Sequence, residues 1–275
     1  MSMKEIQRLK DTILKEYPRL KKDDKFKFAC HSGVECFNDC CGDVNIFLTP
    51  YDVLRLKNAL GISSQEFLDK YTLLPAAEGQ KLPVVVLRMQ DDEKKSCFFV
   101  AEEGCTVYND RPWACRMYPL GLASPGEGNS QLDNEFFFLL KEGSCKGFEE
   151  DKEQTIEEWT EDQGIEDYNK FGELYKDIYT HPYFEREPQL IPQKIDMFFL
   201  ASYNLDRFRS FIFNSSFLKK FDIDDDTVAR IKDSDEELLM FGFRWIRFAL
   251  FGEKTIKIND EVREIVQDKL RETRD

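Results

Sequence analysis

Histidine is the scarcest reactive residue of this 275-residue chain, with two copies, His31 and His181. The sequence has no His-Glu-x-x-His motif and no glycine-rich phosphate loop. A zincin-type protease site and P-loop nucleotide binding are therefore not indicated, and we predict no organic cofactor site. With so few histidines, a Cys-His-Asp nucleophile arrangement is disfavoured as well.

Long hydrophobic runs are also missing. No stretch approaches the roughly 20 apolar residues that a membrane-spanning helix needs. Near the start, Ile6, Leu9 and Ile13 lie at helical spacing among charged residues, without the apolar segment of a signal peptide. We therefore expect a cytoplasmic protein that has no membrane partner. In a reducing compartment, cysteines are more readily interpreted as metal ligands or catalytic groups than as disulfides.

Positively charged residues are fewer than negatively charged ones: the chain has 39 Lys and Arg but 53 Asp and Glu, which gives a net charge of −14. An acidic surface repels phosphate backbones, so we expect no nucleic-acid partner. A protein partner with a basic surface is compatible with this charge and could bind the acidic second half of the chain. The 24 phenylalanines indicate an aromatic-rich core.

Cysteine is present in a concentrated block. None occurs after residue 145, and four fall within residues 30–41. Thiolates are soft donors suited to Zn²⁺, Cu(I) and iron–sulfur clusters. Four satisfy one tetrahedral zinc ion or one cubane cluster, so eight could satisfy two such sites or one larger polynuclear site. The predicted metal ligands are Cys30, Cys36, Cys40, Cys41, Cys97, Cys105, Cys115 and Cys145.

The adjacent pair Cys40–Cys41 favours a polynuclear centre. Neighbouring side chains point in different directions, so both can hardly reach one ion without strain, whereas two irons of one cluster, or two sites, are easier to reach. We predict an iron–sulfur cluster, with zinc or mononuclear iron as the alternative. No Cys-x-x-Cys pair exists, which disfavours a purely redox dithiol. Cys145, the most isolated cysteine, could instead be a small buried apolar residue, and we expect His31 to be an exposed loop residue.

Two arginines lie close to Cys115 in the sequence. Arg111 and Arg116 could offset thiolate charge or pair with nearby aspartates. Asn109 could cap the short helical turn that carries Cys115.

Local signals define the elements of the first half. Thr49 is a good N-cap, Pro50 suits the first helical position and Gly61 suits the exit. Ser63 with Glu66 has the capping-box pattern. These and the apolar patterns predict helices over 3–17, 50–60 and 64–71, strands over 84–89, 97–100 and 135–141, and a loop over 124–130.

The second half has helical periodicity. An apolar stripe runs from Ile165 to Ile178, and a Phe-rich helix is predicted over 195–213. Ser234 opens a helix that Gly252 closes, and Val262, Ile265 and Leu270 indicate a last amphipathic helix. The fold class is α+β: a cysteine-cluster domain over 1–150, with short helices and a small antiparallel sheet, followed by a mainly helical domain over 151–275.

Five motifs follow one another along the chain: Cys40-Cys41, Leu48-Thr-Pro-Tyr-Asp52, Cys97-Phe-Phe, Gly104-Cys-Thr-Val-Tyr108 and Arg111-Pro-x-x-Cys115-Arg-x-Tyr-Pro119. In this order, over about residues 26–147, they resemble the YkgJ-type cysteine-cluster family, which is described as a zinc- or iron-chelating domain with a CxxCxxCC signature. The resemblance implies metal chelation without a specified reaction. The spacing here, Cys30-x5-Cys36-x3-Cys40-Cys41, is longer than that signature, so the ligand role of Cys30 is implied less directly.

Three functional hypotheses follow. The first is a metal-binding protein whose iron–sulfur centre is structural, redox-active or involved in metal handling. The second is a protein-modifying enzyme such as a lysine N-methyltransferase, because the cysteine block more distantly resembles the flagellin lysine N-methylases. The third is a zinc-stabilised interaction module whose acidic helical half binds a basic partner.

Overall fold

The computed structural model of the protein describes residues 12, 15–75, 80–123, 135–187 and 190–264. Most of the helix predicted over 3–17, the loop over 124–130, and Ile265 and Leu270 of the predicted last helix lie outside the described residues. The described residues form an α+β protein with a mainly helical C-terminal region, which confirms the predicted fold class.

The helices differ in length between the two halves of the chain, and the longest lie in the second half. Within the described residues they are α1 (Pro50–Leu60), α2 (Ser64–Tyr71), α3 (Trp113–Met117), α4 (Ile156–Asp162), α5 (Glu166–Tyr179), α6 (Tyr183–Arg186), α7 (Pro192–Ser202), α8 (Leu205–Asn214), α9 (Phe217–Lys220), α10 (Asp225–Asp233) and α11 (Asp235–Phe251). Within the described ranges, no helix combines the length and the apolar character needed to cross a bilayer.

The strands are short and pair antiparallel in small sheets. The three-stranded sheet has the order β2-β4-β3, and the two-stranded sheets pair β1 with β9, β5 with β6, β7 with β8, and β10 with β11. The strands are β1 (Lys25–Lys27), β2 (Phe47–Leu48), β3 (Thr72–Leu73), β4 (Val85–Leu87), β5 (Val100–Ala101), β6 (Gly104–Cys105), β7 (Leu120–Ala123), β8 (Phe136–Leu139), β9 (Glu153–Thr155), β10 (Phe221–Asp222) and β11 (Lys257–Ile258).

The chain divides into two compact units that are discontinuous in sequence. The first contains residues 1–48, 71–80 and 84–170, and the second contains residues 49–70, 81–83 and 171–275. All eight cysteines belong to the first unit. Helices α1 and most of α2 belong to the second unit, with the helices of the C-terminal region. The domain boundary near residue 150 stays a prediction.

Helix α1 follows the local signals in its sequence. The Thr49 hydroxyl accepts a hydrogen bond from the Asp52 N–H (3.2 Å), and the Asp52 carboxylate accepts one from the Thr49 N–H (2.7 Å). Pro50 occupies the first turn, and Gly61 ends the helix in the left-handed region with φ 64°. This reciprocal capping box satisfies backbone donors that the first turn leaves unpaired.

The core of the first unit is formed by residues of the strand pairs β1–β9 and β7–β8 and of helices α3 and α4. In the β1–β9 ladder, Phe26 lies opposite Gln154, and the rings of Phe28 and Trp159 meet edge to face at 5.5 Å. Cys145 packs against this core, whose buried members are Phe26, Phe28, Met117, Leu120, Ile156, Trp159 and Ile165. The loop that carries Cys145 therefore packs on an aromatic cluster.

The strand predicted over 97–100 is largely wrong. Cys97 forms an isolated bridge with Met89, the chain turns at Phe98 and Phe99, and β5 begins only at Val100. The Cys97 carbonyl accepts a hydrogen bond from the Val100 N–H at 3.3 Å, and its sulfur accepts one from the Phe99 N–H at 3.5 Å. These local bonds replace the strand ladder.

The single helix predicted over 195–213 is two helices, α7 and α8. The break lies at Tyr203 and Asn204, and Asn204 has a non-helical backbone with φ −100° and ψ 64°. The Asn204 side chain accepts a hydrogen bond from the Ser64 hydroxyl (3.2 Å) and donates one to the Gln65 side chain (2.7 Å). Asparagine competes for local hydrogen bonds in this way, so partners distant in sequence stabilise the break.

Candidate metal centre

The cysteines lie on loops and on very short elements, and all eight are free thiols. Cys40 and Cys41 end a 3-10 turn over Asp39–Cys41, while Cys105 closes β6 and Cys115 lies in α3. Cys30 and Cys40 are exposed, and the other six are partly buried. Thiols in such segments can move with little loss of regular structure.

The 3-10 turn that carries Cys40 and Cys41 is fixed at its start. Asn38 is in the left-handed region with φ 70°, and its side-chain amide donates a hydrogen bond to the Ala101 carbonyl at 2.9 Å. A 3-10 helix has about three residues per turn, so successive side chains leave the backbone roughly 120° apart. The two thiols nevertheless lie close enough to interact with each other.

Backbone hydrogen bonds bring the loop of Cys30 and Cys36 to the loop of Cys145. The Ala29 N–H donates to the Gly147 carbonyl at 3.1 Å. The Lys146 N–H donates to the Cys36 sulfur, also at 3.1 Å. Cys30 and Cys145 directly adjoin these bonded residues, so these two cysteines and Cys36 share one region of the first unit.

A second set of backbone contacts joins Cys41 to the segment that follows β4. The Cys97 N–H donates to the Cys41 carbonyl at 2.7 Å. Cys105 pairs with Val100 across the β5–β6 ladder. The chain from Cys97 to Cys105 therefore folds back on the Cys40–Cys41 turn.

The thiols perturb one another's ionisation. Burial, with added repulsion from neighbouring thiols, raises the pKa of Cys30 to about 11. The Cys41 thiol beside Cys40 lowers the pKa of Cys40 to about 7, and the same contact, together with burial, raises the pKa of Cys41. Burial also raises the pKa of Cys97. One thiol of the adjacent pair is therefore the easier to ionise, as a soft metal ligand requires.

Two buried donor atoms near the thiols have no hydrogen-bond partner among the described residues: the Tyr118 hydroxyl and Nε of Arg111. Burial and the Cys145 thiol beside it raise the pKa of Tyr118. The Arg111 guanidinium lies over the Tyr108 ring at 3.8 Å, and its charge stabilises the thiolate form of Cys30. Arg111 is thus placed to offset thiolate charge, as the sequence indicated, whereas nothing in the sequence pointed to Tyr118.

Arg116 has a structural role instead. Its guanidinium is buried, donates to the carbonyls of Asn109, Arg111 and Gln163, and lies over the Tyr168 ring at 4.7 Å. The prediction that Asn109 caps the helical turn of Cys115 is wrong, because α3 begins after Pro112 without a side-chain cap. Asn109 contributes its carbonyl to Arg116.

His31 is an exposed loop residue, as expected. One ring nitrogen, Nε2, lies 3.3 Å from the Glu150 carboxylate, and the other, Nδ1, accepts a hydrogen bond from the Gly33 N–H at 3.1 Å. Both ring nitrogens therefore have protein partners.

Comparison with known proteins identifies one family. Residues 29–164 match the family model CxxCxxCC, described as "Putative zinc- or iron-chelating domain". The matched segment is similar to this family, and we refer to it as the CxxCxxCC domain. It contains all eight cysteines, and the family description supports metal binding. Neither a curated protein nor a solved structure gives a significant match to the chain.

The donors of the CxxCxxCC domain fit a thiophilic metal in chemistry. Eight free thiols of one compact unit are soft ligands for zinc, iron or iron–sulfur centres. The unpartnered Tyr118 hydroxyl and Arg111 Nε suit the negative charge of thiolate-bound metal. As placed, no three donor side chains among the described residues converge closely enough to hold an ion, so the eight ligand assignments stay predictions.

An open cleft of about 330 Å³ lies beside Cys41 in the CxxCxxCC domain. Phe37 and Asn38 line one part of it, and Val100 and Ala101 line another. The cleft gives solvent a route to the Cys40–Cys41 turn.

Proposed function

We propose that the CxxCxxCC domain holds an iron–sulfur centre through its cysteines. The observation that carries this proposal is the adjacent pair Cys40–Cys41 on a 3-10 turn, with six further free thiols in the same compact unit. A mononuclear site needs at most four thiolates and makes poor use of two adjacent ones. A centre with several irons accommodates both.

Backbone N–H groups directed at cysteine sulfur support the same proposal. The Lys146 N–H donates to Cys36 Sγ, and the Phe99 N–H donates to Cys97 Sγ. Hydrogen bonds to sulfur are among the features by which proteins tune iron–sulfur centres. They stabilise thiolates that are bound to metal, whichever metal is present.

The proposal is tested by purifying the full chain without oxygen. Iron, zinc and acid-labile sulfide are measured on the same sample as the visible absorption spectrum. We expect iron and sulfide together with broad visible absorption. A colourless protein with stoichiometric zinc contradicts the iron–sulfur proposal and favours the zinc-stabilised module. Iron without sulfide also contradicts it and identifies mononuclear iron.

A pair of variants separates ligands from neighbours. The double substitution Cys36→Ser and Cys40→Ser removes two proposed ligands and is expected to abolish most of the sulfide and the visible absorption. His31→Ala is the matched control, because His31 adjoins Cys30 but is exposed and bound to Glu150. We expect unchanged iron and sulfide in this control.

A further inference from the structure

Three non-glycine residues of the described chain adopt the left-handed backbone region, which L side chains rarely occupy: Asn38 (φ 70°), Asp43 (φ 49°) and Lys95 (φ 46°). Each lies two residues from a cysteine. Asparagine and aspartate tolerate this conformation better than lysine does, because their short side chains bond locally to the backbone. Such residues persist where their surroundings hold them in place, and they cluster at functional sites. The conformation of Lys95 in particular requires neighbouring contacts that hold it.

Asp43 supplies those contacts. Its N–H donates a hydrogen bond to the Lys95 carbonyl at 3.1 Å, and its carboxylate accepts one from the Lys95 ammonium at 2.8 Å. Two residues with an unusual backbone conformation are thus bonded to each other through both main chain and side chain. The two side chains are 62% and 74% exposed, so the ion pair itself contributes little and the backbone bond is the more important. We call this pair the Asp43–Lys95 clamp.

The clamp aligns two segments that carry cysteines. Next to it, Gly42 forms an antiparallel bridge with Ser96, and the Cys97 N–H donates to the Cys41 carbonyl at 2.7 Å. The two segments are in close contact, since a Cβ at Gly42 would lie 2.6 Å from the Lys94 carbonyl oxygen. Backbone bonds therefore hold the main chains of Cys41 and Cys97 side by side.

The Cys97 segment is fixed on its other side as well. The Gln90 N–H donates to the Ser96 carbonyl at 2.8 Å, and the Gln90 side chain donates to the Cys97 carbonyl at 3.2 Å. Met89 forms a bridge with Cys97. Met89 and Gln90 follow β4, whose residues are all buried. The clamp is thus connected through Cys97 to the three-stranded sheet.

The clamp also borders the open cleft beside Cys41. Gly42 and Ser96, which bridge to each other, line this cleft together with Cys41. An ion that enters the cleft from solvent therefore meets a part of the domain whose backbone is already in place. An entry route is one of the requirements of a metal site.

We propose that the Asp43–Lys95 clamp pre-organises the metal centre by holding the backbones of Cys41 and Cys97 in register before metal binds. The remaining cysteine loops close on this fixed pair, so less of the chain has to be ordered at the moment of binding. Asp43 and Lys95 are positioning residues, since neither supplies a soft ligand. The inference rests on the proposed function, applies to a single centre with several metal ions, and does not depend on which metal is bound.

Two substitutions of Lys95 separate backbone conformation from charge. Lys95→Gly and Lys95→Val both remove the ammonium, but glycine adopts a positive φ without strain, whereas valine is branched at Cβ and opposes it. Co²⁺ is titrated into the reduced, metal-free full chain under anaerobic conditions, and the thiolate-to-metal absorption is followed. We expect Lys95→Val to weaken Co²⁺ binding about tenfold relative to Lys95→Gly, because metal must then restore a conformation that valine opposes. Lys95→Gly should stay within about threefold of the wild type.

Asp43 provides a second pair of variants, which tests the clamp where Lys95→Val does not fold. Asp43→Asn loses the charge but tolerates the left-handed conformation, so we expect it to bind Co²⁺ nearly as the wild type does. Asp43→Val is expected to weaken Co²⁺ binding about tenfold. Because the two residues act as one unit, Asp43→Val/Lys95→Val should bind about as weakly as either single variant. Additive losses contradict the clamp.

The matched control is Lys25→Val, in the same unit. Lys25 also makes an exposed ion pair, to Glu153 at 2.9 Å, but it lies in β1, where valine is favourable. We expect its Co²⁺ affinity to equal that of the wild type. Equal binding by Lys95→Val and Lys95→Gly overturns the clamp, and so does an equal loss in Lys25→Val and Lys95→Val. Recovery of binding by glycine, which has no side chain, is not expected of a merely structural contact.

The clamp and the iron–sulfur proposal fail in distinguishable ways. A wild-type chain that binds no Co²⁺ and is purified without metal rejects both. Zinc without sulfide in the purified protein rejects the iron–sulfur centre and leaves the clamp standing. Iron and sulfide in the wild type, with equal Co²⁺ affinities of Lys95→Gly and Lys95→Val, reject the clamp alone.

Discussion

In the first unit, strands are two to four residues long and the cysteines lie on loops and very short elements, while the second unit has helices of up to 17 residues that carry many phenylalanines. The second unit buries aromatic residues such as Phe198, Phe208 and Phe241. The first unit has a smaller aromatic core, against which Cys145 packs. We therefore expect the first unit to gain much of its stability from bound metal and the second unit to gain little.

The second unit also contains a buried ion network. Lys57 of α1 pairs with Asp235 at 2.6 Å, and Arg209 of α8 contacts the same carboxylate at 2.6 Å. The Lys57 side chain is 7% exposed. This network links three helices through charge, in contrast to the thiols that are proposed to organise the first unit.

Metal removal is expected to have the largest effect and to destabilise only the first unit. With metal removed, we expect amide hydrogen exchange to lose protection over about residues 26–48 and 95–123, because the cysteine loops lose their ligand bonds. Protection in α7, α8 and α11 should remain. Hydrogen exchange with mass spectrometry on metal-loaded and metal-free full chain checks this. Equal loss in both units contradicts the comparison.

Close helix packing is the next most sensitive feature, and it belongs to the second unit. A Cβ at Gly242 of α11 would overlap the Ala201 carbonyl of α7. We expect Gly242→Ala to lower the free energy of unfolding of this unit by about 3 kcal/mol through overpacking. Urea denaturation followed by far-UV circular dichroism measures the change.

Gly172 of α5 is the matched control for Gly242. A Cβ at Gly172 meets nothing within 4 Å. We therefore expect Gly172→Ala to stabilise the second unit, by about 0.5–1 kcal/mol, because alanine loses less backbone entropy in a helix. Destabilisation by both variants would show that glycine is needed for backbone freedom and not for packing.

Breaking the buried ion network is expected to lower the free energy of unfolding by an amount similar to, or slightly smaller than, that for Gly242→Ala. Asp235→Asn leaves Lys57 buried without its close carboxylate, which we expect to cost about 3 kcal/mol at neutral pH. Asp222→Asn is the control, because Asp222 pairs with Lys257 on an exposed surface and should change stability little. Equal effects of the two variants contradict the assigned role of burial.

The same carboxylate gives the second unit a pH dependence. Burial would raise the pKa of Asp235, but hydrogen bonds from Lys57 and Arg209 outweigh it and the pKa lies below its ordinary value. The contribution of Asp235 to the free energy of unfolding is therefore fully present above the unfolded pKa of about 3.9. It is lost as the pH falls through the lower pKa of the folded state. Denaturation measured from pH 5 downward should show a shallower loss for Asp235→Asn than for the wild type.

Loss of a helix cap should have the smallest effect on stability. Both units use the same kind of cap. Thr49 caps α1 in the second unit and Thr155 caps α4 in the first, each in a reciprocal capping box. We expect each Thr→Ala variant to cost about 1 kcal/mol. In metal-free protein the Thr155→Ala effect should shrink, since the first unit is then already loosened. An unchanged effect would show that α4 folds independently of metal.

Predictions from sequence were most accurate where the signal and its target are close together. Thr49 and Gly61 lie at the two ends of α1, as expected, and Ser234 and Gly252 lie at the two ends of α11. These residues act through hydrogen bonds or backbone angles within about one helical turn, which a reader of the sequence sees directly. The eight cysteines and their suitability as soft metal ligands are also readable from the sequence, because the softness of a thiolate does not depend on the fold.

Tertiary structure alone decided which groups meet. Asn204 breaks the predicted helix because its partners, Ser64 and Gln65, lie about 140 residues away in sequence. The Lys146 N–H reaches the Cys36 sulfur across 110 residues. The sequence by itself therefore determined the helix ends and the supply of soft donors. The pairing of those donors required the fold, because contacts between distant residues depend on packing that no local pattern encodes.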